Sequence, residues 1–279
     1  MADVAYVNGA FMPLSEARVS VEDRGFQFGD GVYELLRVYD GRPFRPVEHL
    51  ARLERSAAAL GISLPYPRER WLALIDEAVA RSGYAEGKVY IQVTRGAAPR
   101  DHAVGGPLSP TIVLTVRAYT PGEAALYTAG VDVVTVPDIR WGRCDIKSVC
   151  LLANVLAKQQ ARDAGAFEAL FVRDGWVLEG ATSNVMVVKD RRVLTPPEGP
   201  YLLSGITRQV TLAVAQKADI PVSELPLREA DLYAADEVFL TGTTIEVLPV
   251  ARVDGRRIGG GAPGPVTRSL MARFGESRA

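Results

Sequence analysis

Between residues 31 and 118 the apolar positions change period twice. "GVYELLRVY" (31–39) is a run of β-branched and aromatic residues, which predicts a strand. Residues 47–60 then place Val47, Leu50, Leu53, Ala57 and Leu60 three or four apart, and residues 68–82 repeat that spacing with Trp71, Leu74, Ile75, Ala78 and Val79. Both stretches predict helices with one apolar face. "KVYIQVTRG" (88–96) and "TIVLTVRAY" (111–119) return to the strand pattern, and "VAYVNGAF" (4–11) predicts two short strands around an Asn-Gly turn.

A Pro-Gly break, "TPGE" at 120–123, separates this half from the next. It predicts a linker between a small N-terminal domain, 1–119, and a larger C-terminal one, 124–279. The second half opens with the strand "GVDVVTV" and a helix at about 151–164, begun by Val149, Leu151, Leu152, Val155 and Leu156. "EALFV", "NVMVV" and "RRVLT" predict short strands, "SGITRQVTLAVAQKA" a helix starting at Ser204 and Gly205, and "DEVFLTGTT" a strand ending in a small polar turn. Strands do not alternate strictly with helices, so the expected class is α+β (mixed α/β) rather than a doubly wound sheet.

Composition narrows the function. A net charge of −1 over 279 residues gives no basic footprint for nucleic acid or an anionic membrane. No apolar run approaches the roughly 20 residues of a membrane span, and the N-terminus does not read as a signal peptide. Cys144 and Cys150 form neither a zinc pattern nor a disulfide framework. A cytoplasmic protein with reduced thiols and no metal is expected.

Five places could carry chemistry. Lys147, in "RCDIKSVC", is either a solvated lysine or a Schiff-base amine of the kind activated by desolvation or neighbouring cations. Glu179, in "LEGATSNVMVV", is either a turn acid or a carboxylate beside a loop small enough to admit a flat ligand. Gly205, Ile206 and Thr207 open a helix whose first N–H groups either are merely capped or hold a phosphate. "LTGTT" at 240–244 could complete the same anion site. Arg52, one turn beyond His49, lies either on a charged helix face or toward that phosphate. Together these are the parts that pyridoxal 5′-phosphate requires: a lysine, an acid for the ring nitrogen and anion sites. The glycines match neither a P-loop nor a Rossmann spacing.

The motifs also occur in a recognisable order: "EDRGFQFGDGVYE" (22–34), "EHLARL" (48–53), "VTRGAAPRDH" (93–102), "DIRWGRCDIKS" (138–148), "EGATSNV" (179–185), "GITR" (205–208) and "LTGTTIEV" (240–247). From about Val4 to Phe274 the chain resembles the class IV (fold-type IV) pyridoxal-phosphate aminotransferases. "PRDH" and "RGFQFGDGVYE" point to the D-amino-acid branch.

The resemblance implies a two-domain enzyme with its cofactor in the cleft between the domains. It assigns Lys147 to the cofactor aldehyde and to proton transfer, and Glu179 to the pyridine nitrogen. Arg52, Gly205, Ile206, Thr207 and Thr243 would serve the phosphate, with Leu203 against the ring. Tyr33 would bind the substrate carboxylate, completed by Arg100 and His102 from the partner subunit of a homodimer. The implied reaction is ping-pong transamination of D-amino acids with 2-oxoacids such as pyruvate or 2-oxoglutarate, through pyridoxamine phosphate. A guanidinium suits the carboxylate trap, although the loop "RGAAPRDHAVGG" alone also reads as a solvated turn.

Two positions depart from the branch: Ala181 stands in a run usually of serines, and Gly242 replaces a common hydroxyl residue. These bear on rate and substrate range. The alternatives are a branched-chain L-aminotransferase, an (R)-amine transaminase or an aminodeoxychorismate lyase of the same fold, and a cofactor-binding protein without catalysis.

Overall fold

The computed structural model describes residues 1–278, which form two compact units. The first comprises Met1–Thr120 together with Ile146–Cys150, and the second comprises Pro121–Asp145 and the chain from Leu151 onward.

The first unit contains strands β1 (Val4–Val7), β2 (Ala10–Pro13), β3 (Gly31–Tyr39), β4 (Arg42–Pro43), β5 (Gly87–Thr94) and β6 (Thr111–Ala118). Its helices are α1 (Arg24–Phe28), α2 (Pro46–Ala59) and α3 (Arg68–Ser82). The strands form one antiparallel sheet in the order β2-β1-β6-β5-β3-β4. Between β1 and β2, Asn8 and Gly9 both take positive φ, 46° and 107°, which the tight turn requires and this pair tolerates. Alternation then sorts the sheet's two faces. Val32, Leu36, Val89, Ile91 and Leu114 are buried against Leu50, Leu53, Trp71, Leu74 and Ile75 of α2 and α3. On the intervening positions Tyr33, Tyr90 and Gln92 are only half-buried. Val47, placed by its spacing on the inner face of α2, is 46% exposed at the start of that helix.

The second unit follows the order α4 (Ala124–Ala129), β7 (Val131–Pro137), α5 (Leu152–Asp163), β8 (Glu168–Arg173), β9 (Trp176–Gly180), β10 (Asn184–Lys189), β11 (Arg192–Thr195) and α6 (Ile206–Lys217). It continues with β12 (Val222–Glu224), β13 (Leu227–Arg228), α7 (Glu229–Tyr233), β14 (Glu237–Gly242), β15 (Glu246–Val253), β16 (Arg256–Arg257) and α8 (Pro265–Glu276). Its sheet runs β12-β11-β10-β14-β15-β7-β8-β9-β13, with β16 paired to β15. The sheet is mixed: β11–β12, β15–β7 and β7–β8 are parallel, the rest antiparallel. The class is mixed α/β, as the pattern predicts. Helices α6 and α8 pack on β14 and β15, while α5 lies on β7 and β8. On α5 the small residues Ala157 and Ala161 face inward, and Leu152, Val155 and Leu156 are exposed at 73%, 60% and 48%. Among the described residues no helix is long and apolar enough to cross a membrane.

Candidate active site

Lys147 is held by its backbone. Its N–H donates to Ser56 Oγ of α2 at 3.1 Å, and its carbonyl accepts from Tyr33 N–H of β3 at 3.0 Å. Ser148 bridges to Val32, and Val149 N–H donates to the Gly31 carbonyl at 3.0 Å, so the segment is tied alongside β3 through an isolated bridge. The side chain is half-buried, with Nζ 4.3 Å from the centre of the Tyr33 ring. A backbone fixed on two sides and an amine over an aromatic face place Lys147 in a built environment.

Beneath it lies a buried ionic cluster. Glu34, on the apolar face of β3, has no exposed surface. Arg52 grips it bidentately, Nε to Oε1 at 2.7 Å and Nη2 to Oε2 at 2.8 Å, and His49 Nδ1 meets Oε2 at 2.6 Å. Burial alone would raise the Glu34 pKa, but the charges and hydrogen bonds of Arg52 and His49 hold it well below the usual carboxylate range. His49 titrates lower than an ordinary histidine because burial outweighs its attraction to Glu34, and Arg52 and Lys147 add to the depression.

Arg100 and His102 lie on an exposed loop of the same unit. Both meet Phe28: the Arg100 guanidinium is 4.6 Å from the ring centre and the His102 ring 5.2 Å. Arg24 fixes the loop's backbone, donating to the Asp101 and His102 carbonyls at 2.6 and 3.1 Å.

In the second unit Glu179, near the end of β9, is buried in a set of directed donors. Arg140 Nη1 reaches Oε1 at 2.5 Å, while Asn184 Nδ2 and Leu203 N–H both reach Oε2 at 3.1 Å. Arg140 is itself held by Asp138 at 2.9 Å and lies over Phe171. Although burial opposes its charge, Asp138 and Glu179 raise its pKa above the ordinary guanidinium value. Asn184 Nδ2 also donates to the Leu203 carbonyl at 2.9 Å. Leu203 is therefore clamped at both its N–H and its C=O.

The same asparagine locates the start of α6. A Cβ on Gly205 would lie 2.1 Å from Asn184 Oδ1, so glycine lets the helix begin there without displacing the asparagine. Ile206 and Thr207 follow, buried, as the first helical residues, whose N–H groups have no partner within the helix. Asn184 pairs in register with Thr241, two residues before Thr243, and Thr243 lies half-buried in the β14–β15 turn. The helix start and the hydroxyl turn thus flank one strand position. This combination suits an anion.

The small-residue loop after Glu179 is fixed by Glu168. This fully buried acid accepts from Thr182 N–H and Ser183 Oγ, each at 3.1 Å, and from Thr182 Oγ1. Ala181 has no hydroxyl to join this set; its N–H and C=O bond Ala169 and Asn154.

Sequence reasoning passed over Glu34, Asn184, Arg140 as a partner of Glu179, and Glu168. For Glu34 a signal existed: it shares strand parity with Val32, Leu36 and Val38, and an acid on a core face demands a cation. Glu168 sits at the start of an apolar strand and carried no such mark. Among the described residues, no cluster of three or more His, Cys, Asp or Glu side chains could hold a metal ion.

Residues 31–253 match the family model of amino-transferase class IV. The chain is 44% identical to the D-alanine aminotransferase of Bacillus licheniformis over 97% of its own length and 95% of the relative's. It is 43% identical to that of Staphylococcus haemolyticus over 96% and 95%. The fold superposes on the branched-chain amino acid aminotransferase of Escherichia coli with a TM-score of 0.93, 27% identity and coverage of 100% and 95%. A second branched-chain amino acid aminotransferase, from T.th. and solved with pyridoxamine 5′-phosphate, gives a TM-score of 0.91 at 31% identity, covering 100% and 95%. With a family model spanning most of the sequence and relatives matched along nearly their whole length, the chain belongs to the class IV aminotransferases.

Proposed function

We propose that the chain transfers the amino group of D-amino acids, D-alanine among them, to 2-oxoacids, using pyridoxal 5′-phosphate. The observation that carries this reading is the near-complete match to D-alanine aminotransferases at 42–44% identity, against 24–32% for the branched-chain enzymes and the lyase that share the fold.

The donor set fits the cofactor. The first unit offers an amine in Lys147; the second offers a buried carboxylate in Glu179 and a helix start that a Cβ at Gly205 would block. When bound, pyridoxal 5′-phosphate supplies an aldehyde for the amino group and a protonated ring that withdraws electrons from the substrate Cα. Lys147 Nζ would hold the aldehyde carbon and later carry the proton at the substrate Cα. Glu179, kept in place by Arg140 and Asn184, would accept a hydrogen bond from the ring nitrogen. Leu203, fixed at both peptide ends, would pack on the ring. Arg52 of the first unit, and the N–H groups of Ile206 and Thr207 with the Thr243 hydroxyl of the second, would serve the phosphate. Tyr33, with Arg100 and His102 of a second copy, takes the substrate carboxylate. The exposed apolar row on α5, Leu152, Val155 and Leu156, supports a homodimer, since such a row is a surface that another copy can cover.

The decisive experiment adds D-alanine and L-alanine separately to the purified holoenzyme without an oxoacid. D-alanine alone should move the cofactor's absorbance to that of its amine form. Conversion by L-alanine instead would refute the D-specific reading.

A further inference from the structure

Arg24 lies outside the set of residues assigned to chemistry, yet it is 5% exposed and its guanidinium ties down two successive carbonyls of one loop. Its Nη1 and Nη2 donate to the carbonyls of Asp101 and His102, and its Nε pairs with Asp30 at 2.9 Å. Asp30 is braced in turn by Arg95, bidentate at 2.8 and 3.0 Å, and Arg95 donates to the Leu60 and Gly61 carbonyls just past the end of α2. The Arg24 guanidinium also lies 4.9 Å from the Phe28 ring centre, the ring that Arg100 and His102 approach. A short helix carries Arg24, and it too is pinned: Asp23 caps it through Gly25 N–H and accepts from Thr94 Oγ1 at 2.9 Å. Neither lysine nor a neutral residue can reproduce this planar fork, which bonds two successive carbonyls and a carboxylate at once.

We propose that Arg24 is a positioning residue for substrate recognition, setting the backbone from which Arg100 and His102 bind the α-carboxylate. The inference rests on the carboxylate-trap reading of that loop. Its signature follows from the reaction's symmetry. The amino acid donor and the oxoacid acceptor present the same carboxylate to the same trap. A displaced loop therefore weakens both substrates together and leaves the cofactor alone.

The test measures KM and kcat for D-alanine and for 2-oxoglutarate in holoenzyme carrying R24K, R24M, in which Asp30 keeps Arg95 as its partner, and R100A as reference. R24K and R24M should each raise both KM values by a similar factor, about tenfold or more, the scale expected when a charge-paired carboxylate site is loosened. Cofactor dissociation constant and kcat should stay within about twofold. If R100A raises both KM values while folded Arg24 variants leave them unchanged, the positioning role is wrong and the trap stands. If R100A leaves them unchanged, the trap reading falls and the role of Arg24 with it. A rise confined to one substrate, or matched by equal loss of cofactor affinity, also overturns the proposal.

Discussion

Arg52 and Glu34 meet edge to edge inside the first unit, two nitrogens on two oxygens at 2.7 and 2.8 Å, with Glu34 fully enclosed. The residue proposed to reach the phosphate is thus anchored from the strand that carries Tyr33. Removing one partner of a buried ion pair leaves an uncompensated charge, a loss of about 3–5 kcal/mol. Glu34→Gln should lower the unfolding free energy by about that amount and weaken cofactor binding, both readable by denaturant titration and cofactor titration.

The same pair sets an acid limit. The folded pKa of Glu34 is depressed, so its contribution to stability is complete above the unfolded value of about 4.3 and is lost as pH falls below it. His49 is also depressed when folded, so protonating it in the unfolded chain adds a loss below about pH 6.5. Stability of the wild type should fall as pH drops from about 7 through 4 and further toward 2, the His49 part above about pH 4 and the Glu34 part below it. Glu34→Gln should flatten the lower part of that slope in unfolding curves taken across the range.

Lys147→Ala should reduce transamination by at least about 10²–10⁴-fold, the contribution typical of a positioned proton carrier. The segment is held through its backbone, while the side chain meets the face of the Tyr33 ring, so the melting temperature of the cofactor-free protein should change little. Turnover within a factor of ten of wild type would refute the role.

Gly205→Ala would put a methyl 2.1 Å from Asn184 Oδ1. Either the helix start or the asparagine must move, at a cost of about 1–3 kcal/mol. The variant should fold with a lower melting temperature and bind inorganic phosphate and cofactor more weakly. Unaltered cofactor affinity would remove the helix start from the phosphate site.

Asn184→Ala removes one donor from Glu179 and the donor to the Leu203 carbonyl. Each hydrogen bond to a charged group contributes about 1.5–3 kcal/mol. A shift in the bound cofactor's absorbance, together with a drop in kcat, would report a loosened carboxylate; a pure stability loss would assign the residue to packing alone.

Period alone made β3, β5, β6, α2 and α3 legible, because each buries one face on a single core. Other elements hid for physical reasons. β15 contains Pro249, which argues against an interior strand, yet the strand is central; Pro249 precedes Val250, where pairing with β7 begins. On α5 the large apolar residues face outward and alanines face the sheet, so hydrophobicity points away from the core of this chain. Of the site, Lys147 and Glu179 stood out by their small or apolar neighbours and by motif order. The partners that fix them come from distant strands and loops, and no local spacing joins Glu34 to Arg52 or Arg140 to Glu179.

The five residues Ile146–Cys150 lie in the first unit, although second-unit residues precede and follow them in the chain. Ile146 is part of the first core, and Ser148 bridges to Val32. During synthesis, then, the N-terminal sheet stays without its last inserted piece until residue 150 has left the ribosome. A fragment ending at residue 120 would present an unfilled slot along β3, and adding a peptide of residues 144–151 in trans should restore part of its lost stability.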